Sequence, residues 1–229
     1  AAFGILYGNL KTARVLAPRA MPIGPPFEVP EQVAQFVTEL RSRFSPWLDR
    51  LVLWGSVFFG ITSGAAMAAQ WQTFRLAAAA EPFGYADPQF GRDVGFFVFT
   101  LPALRAVSDW LTGVLVLTTV LTLFVHVVDG AIQPFQRLRG FAPHVKAHLS
   151  VLAAAIVLSL GFNYWLDIYE LSYSLRGQVA GASYTDVHAQ LPAYRILIVI
   201  SIVTAAVLLV NIRVKGWRLP LIALGVWLA

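Results

Sequence analysis

Four long apolar runs, at residues 49 to 70, 107 to 128, 149 to 170 and 195 to 212, constrain this chain more than any other feature. Each has about the length needed to cross a hydrocarbon layer of about 30 Å at about 1.5 Å per residue. In that layer no water satisfies backbone N–H and C=O groups, so the runs are expected to be helices. Shorter apolar stretches at 1 to 9 and 217 to 229 read as parts of two further spans, which predicts that the chain is a piece of a longer protein. With 58% hydrophobic residues and a mean hydropathy of +0.67, too little polar surface is available for a water-soluble domain of 229 residues. The expected fold class is all-α: a polytopic helical membrane domain with amphipathic interfacial helices.

The connections differ in character. Pro18, Pro22, Pro25, Pro26 and Pro30 exclude a continuous helix from 17 to 30. Beyond them Val33, Phe36, Val37, Leu40 and Phe44 recur at helical spacing opposite Glu31, Gln35, Glu39, Arg41 and Arg43, which predicts a helix at 30 to 44 lying on a membrane surface. Basic residues sort by side. Lys11, Arg14, Arg19, Arg41, Arg43, Arg50, Arg137, Arg139, Lys146, Arg213, Lys215 and Arg218 fall on one side of the spans, against Arg75, Arg92, Arg105, Arg176 and Arg195 on the other. The richer side is expected to be cytoplasmic, so loops 71 to 106 and 171 to 194 are expected to face outward. That sorting also accounts for the net charge of +5 without nucleic acid. The chain has no cysteine, so disulfides and thiolate chemistry are excluded from it.

The stretch FGYADPQFGRDVGFFVFTLP, 83 to 102, is the least lipid-like sequence between two spans. Asp87 before Pro88 predicts one helix N-cap and Asp93 before Val94 a second, the latter opening a short helix through Phe96, Phe97, Val98 and Phe99 in the membrane interface. The other outward loop carries a related pattern. Asp93-Val94 precedes Leu101-Pro102-Ala103-Leu104-Arg105, and Asp186-Val187 precedes Leu191-Pro192-Ala193-Tyr194-Arg195. This fits either a parallel duplication of a helix hairpin or shared pre-helix punctuation.

Two clusters are candidates for chemistry. Asp87, Arg92, Asp93, Asp167, Glu170, Arg176, Asp186 and Arg195 fall at the outward ends, where carboxylates form either a cation or substrate-entry site or a salt-bridged cap. Asp167 and Glu170 stand at a helix C-terminus, where the macrodipole disfavours them unless they are paired. At the inner ends lie His126 and Asp129, and His144 and His148 at i and i+4. Four nitrogen and oxygen ligands suit zinc, but no HExxH pattern is present, and contacts to headgroups, backbone or water account for such histidines. No metal or cofactor is assigned, and no catalytic residue. Phosphate loops and nucleotide fingerprints are missing, and Ser183 in GASYTD lacks the second glycine of a nucleophile elbow.

FGYADPQFGRDVGFFVFTLP, YWLDIYELSYS and GASYTDVHAQLP together resemble uncharacterised protein family 0182, bacterial multi-pass membrane proteins, over nearly the whole chain. The resemblance implies a plasma-membrane protein in which amino-terminal helices precede a large extracytoplasmic part; it carries no catalytic roles. The spans show almost no ionisable groups at depth, which disfavours a coupled pump. A non-enzymatic scaffold is therefore expected, its partners being the lipid bilayer, the protein's own extracytoplasmic part and another membrane or envelope protein. A passive conduit for lipid or another envelope component is the alternative, and a membrane-bound enzyme the second alternative.

Overall fold

A computed structural model describes residues 1–16, 35, 39, 43, 47–129, 143–175, 181–213, 225 and 227. Its helices are α1 (Ala2–Leu16), α2 (Leu48–Ala68), α3 (Trp71–Ala78), α4 (Leu101–Val128), α5 (Pro143–Glu170) and α6 (Leu191–Val210). Among the described residues there is no strand beyond one isolated bridge between Ala86 and Asp93. Four helical stretches are long and apolar enough to cross a membrane: Leu48–Ala68, Phe96–Val128, Pro143–Tyr173 and Asp186–Val210. Gln35, Glu39 and Arg43 are helical and exposed, as the polar face of the 30 to 44 helix requires; the rest of that helix lies outside the described residues. So do Arg19, Arg41, Arg137, Arg139, Arg176, Lys215 and Arg218.

α1 buries Leu6, Leu10 and Ala13, one stripe at helical spacing, against Leu48 and Val52 of α2 and Val125 and Val128 of α4. The antiparallel α1–α2 pair is close enough that a Cβ on Gly60 would lie 2.8 Å from the Phe3 Cβ. Asp49 in the first turn of α2 suits the positive end of its dipole and meets Arg14 at 3.4 Å and Lys11 at 3.9 Å. α4 packs on α1 and on antiparallel α5, and α5 packs along α6. On the outer face of α2, Leu51, Trp54, Phe58 and Ile61 form an exposed apolar stripe, the surface expected of a helix that faces lipid.

The main departure from sequence expectation concerns 94 to 106. No separate interfacial helix forms there: the helix capped by Asp93 runs without interruption into the span. The join is a π-helical turn at Phe96–Thr100, where the Leu101 N–H reaches back to the Phe96 carbonyl. Pro102 follows and brings no N–H, so the Phe97 carbonyl, next in the π ladder, is left without a main-chain donor. The Tyr173 hydroxyl fills that vacancy by donating to it. Asp87 likewise caps only a turn, accepting from the Gln89 and Phe90 N–H groups, and no helix follows Pro88.

The same device recurs before α6. A π turn at Asp186–Gln190 places the Leu191 N–H on the Asp186 carbonyl, and Pro192 follows. Here the cap is Ser183. Its N–H and hydroxyl donate to Asp186 Oδ2 at 2.9 and 2.8 Å, and the Asp186 N–H returns to Ser183 Oγ at 3.3 Å, a capping box. The counterpart of Asp93 is therefore Ser183 rather than Asp186. With that correction both caps stand eight residues before Leu-Pro-Ala-x-Arg, and both follow by two a glycine at positive φ, Gly91 at 63° and Gly181 at 126°. The repeated unit is this entry motif. The hairpins around it pack differently, since α5 and α6 pair along their lengths while α2 packs chiefly on α1.

Candidate functional site

At one end of the bundle the charges of two helices, α4 and α5, meet on Arg105. Residue 105 sits on the fifth position of α4, one turn inside Leu-Pro, where its guanidinium faces the last turn of α5. It donates from Nε to Glu170 Oε1 at 2.6 Å, from one terminal nitrogen to Asp167 Oδ1, and from the other to Asn163 Oδ1 at 3.4 Å. Asp167 and Glu170, three residues apart, share a face of α5, so one fork reaches both. The clash between these carboxylates and the α5 dipole is thereby resolved. Asp109, one turn along α4, lies 3.9 Å from the same guanidinium.

The hydrogen bonding continues down the α4–α5 seam. Asn163 Oδ1 accepts from the Ser108 hydroxyl at 2.6 Å and its Nδ2 donates to Thr112 Oγ1 at 3.2 Å, while Thr112 and Ser159 share a hydrogen bond of 2.5 Å. Above the clamp, Phe97, Leu101 and Leu166 form an apolar layer with Phe90, Phe96, Trp165 and Tyr169 around it. The Arg92 guanidinium lies over the Phe96 and Tyr169 rings at 5.3 and 5.6 Å, so it is spent on cation–π contacts. Among the described residues Arg195, the motif counterpart of Arg105, makes no ion pair.

The remaining acidic residues of the cluster hold local backbone. Asp93 Oδ1 accepts from the Phe83 and Gly95 N–H groups at 3.0 and 2.7 Å and Oδ2 from Gly84 at 2.9 Å. The Phe83 and Gly95 donors, with Gly84 and Tyr85, hold its carboxyl below the ordinary 3.8 against a smaller opposing effect of desolvation. Gly95 is needed there, because a Cβ would meet the Glu81 carbonyl oxygen at 2.6 Å. Asp87, Asp93 and Asp186 thus take partners in their own loops, while Asp167 and Glu170 share Arg105. Beside the clamp lies a recess of about 220 Å³, lined by Asp167, Glu170, Tyr173, Ser174, Gln190 and Tyr194 among others.

The opposite end carries the histidines. His126 Nε2 and His148 Nδ1 are 3.3 Å apart with rings nearly perpendicular, and His148 Nε2 is 3.0 Å from Asn9 Oδ1 of α1. Asp129 Oδ2 lies 3.7 Å from Arg14 Nε. His144, one turn from His148, is not in hydrogen-bond contact with the pair. Among the described residues no three histidine or acidic side chains are placed to hold a metal.

The whole chain, residues 1–229, matches the model of the uncharacterised protein family UPF0182. The chain belongs to that family. Family relatives include a UPF0182 protein of Frankia casuarinae, 35% identical over 98% of this chain, and one of Rhodococcus erythropolis, 35% identical over 97%. A third, of Thermobifida fusca, is 36% identical over 90%. The matched region makes up 22%, 23% and 20% of those proteins respectively, so this chain spans about a fifth of a family member's length. No solved structure matches.

Sequence reasoning missed the centre of the clamp. Arg105 was visible in the Leu-Pro motif, but its partners on α5 lie 58 to 65 residues away, and Arg92, Arg176 and Arg195 were nearer the loops. The signal available was the pair Asp167 and Glu170, carboxylates at a helix C-terminus that require a cation. Asn9 and Arg14 were missed for a related reason: both sit on α1, which extends to Leu16 rather than ending near residue 9.

Proposed function

We propose that this segment is a non-enzymatic scaffold of a bacterial plasma membrane, with its clamp end outward and ordered there to dock the protein's own extracytoplasmic part or a membrane partner. The outward orientation rests on the distribution of Lys and Arg, which is richest at the histidine end and its flanking loops. One observation carries the reading: every described carboxylate of the outward cluster has at least one oxygen engaged in holding structure. Asp167 and Glu170 bind Arg105, Asp87 and Asp93 bind backbone N–H groups, and Asp186 closes a capping box. The recess of about 220 Å³ beside the clamp is smaller than the roughly 300–1,000 Å³ of most small-molecule pockets, and far short of a lipid.

Single amide replacements test this. Under the scaffold reading, Asp93→Asn, Asp167→Asn and Glu170→Gln each lower the yield of folded protein extracted from membranes and its melting temperature. Full yield and unchanged melting for all three would contradict it and favour a conduit or an enzyme, in which such residues serve a ligand.

A further inference from the structure

Polar side chains buried in an apolar bundle find partners, because an unmade hydrogen bond costs about 1–3 kcal/mol. One row in this chain does not. Thr118, Thr122 and His126 lie four residues apart on α4, hence on one stripe, and all three are fully buried. Neither threonine hydroxyl makes a hydrogen bond, nor does His126 Nδ1. The neighbouring threonines show the usual alternative: Thr112 and Thr119 return their hydroxyls to the carbonyls of Ser108 and Leu115. Thr118 and Thr122 are instead turned inward. Ser56 of α2, also fully buried, has no partner either.

The proton positions at the end of the row follow from its contacts. Asn9 Nδ2 donates to the Ile5 carbonyl at 2.7 Å, which fixes Asn9 Oδ1 as the atom facing His148, and an amide oxygen only accepts. His148 Nε2 therefore carries a hydrogen and its Nδ1 does not. His148 Nδ1 must then accept from His126 Nε2–H, which leaves His126 Nδ1 a bare acceptor. An imidazole nitrogen, fully buried and without a donor, ends a row of hydroxyls without partners.

We propose that Thr118, Thr122 and His126 line a buried water site, and that its water delivers protons to the His126–His148 pair. One water hydrogen-bonded at both ends bridges about 5.5 Å, close to the rise of about 6 Å between successive members of the row. A proton arriving on His126 Nδ1 is matched by transfer of the Nε2 proton to His148 Nδ1, so one charge enters and moves to the second ring. The groups at this level that respond to it are His148 and His144 of α5 and the Arg14–Asp129 pair at the bundle end. Lys146, two residues before His148, lies on the other side of α5. This goes beyond the scaffold reading and is independent of it.

Deuterium exchange at the ring carbon between the two imidazole nitrogens tests the site, because it needs a protonated ring within reach of water. The full-length protein in lipid nanodiscs would be held in D₂O and each histidine peptide read by mass spectrometry, with exposed His188 as reference. His126 is expected to exchange measurably but more slowly than exposed His188, and the near-isosteric Thr122→Val to slow it about tenfold further, the factor for one hydrogen bond of about 1.4 kcal/mol. Absence of exchange at His126 while His188 exchanges would overturn the site. Exchange unaffected by Thr122→Val and by Thr118→Val would overturn the threonine row as its route.

Discussion

Replacing Arg105 by methionine removes the clamp while keeping a side chain of similar length. Two hydrogen bonds to carboxylates are lost, worth about 1.5–3 kcal/mol each when fully buried. The side chains of Asp167 and Glu170 are 28% and 38% exposed, so water takes back part of that, and about half is a fair discount. The expected loss is about 1.5–3 kcal/mol, to which the uncompensated like-charged pair adds. For a domain of this size about 2–4 °C accompanies each kcal/mol, giving a fall in Tm of about 3–12 °C by scanning fluorimetry in mild detergent. Arg105→Lys keeps the charge but not the fork and is expected to lose about half as much. Adding Asp167→Asn and Glu170→Gln to Arg105→Met should recover part of the loss, since a network removed whole costs less than one broken in the middle. A melting temperature unchanged within about 1 °C for Arg105→Met, or a triple variant worse than the single one, would refute the clamp as the element that joins α4 to α5.

Other outcomes follow from the entry motif. Tyr173→Phe leaves the Phe97 carbonyl without a donor beside Pro102 and is expected to cost about 1–3 kcal/mol, read as a drop in melting temperature. Gly95→Ala drives a Cβ into the Glu81 carbonyl and should lower folded yield, while Gly113→Ala, with nothing within 4 Å, should be neutral or better. Asp93 makes the loop pH-sensitive. Its carboxyl is depressed in the folded state, so its contribution is present above pH 3.8 and is lost as the pH falls through the folded value; protease nicking at 81 to 95 should rise there in wild type and already be high at neutral pH in Asp93→Asn.

The apolar runs located the four long helices because their length and lack of charge leave no other way to satisfy the backbone. α2 was legible to within two residues for that reason. The spans entering from the clamp end were read from 107 and 195, whereas the helices that carry them begin at 94 and 184, ahead of Pro102 and Pro192. A π turn absorbs each proline, and nothing local in the sequence announces that geometry. The repeated motif was visible, but its register was not: Asp186 matched Asp93 by residue type, whereas cap geometry matches Ser183. The acidic residues of the outward cluster were legible as types, but which cation takes Asp167 and Glu170 was not, because that depends on contacts between Arg105 and α5 that spacing along the chain does not encode. The inner-end residues were grouped from spacing within two helices, His126 with Asp129 and His144 with His148; that His126 meets His148, and that Asn9 joins His148, required knowing how α1, α4 and α5 pack.

The measurement closest to the central claim is isolation of the full-length protein from its native membrane in a mild detergent, with mass analysis of everything that stays bound in fixed ratio. A scaffold whose outer end is held by the Arg105 clamp predicts a stoichiometric protein partner, or cross-links between loops 81 to 95 or 181 to 190 and the protein's own exterior part, both lost with Arg105→Met. Recovery of the protein alone with a specific lipid, unaffected by that substitution, would contradict it.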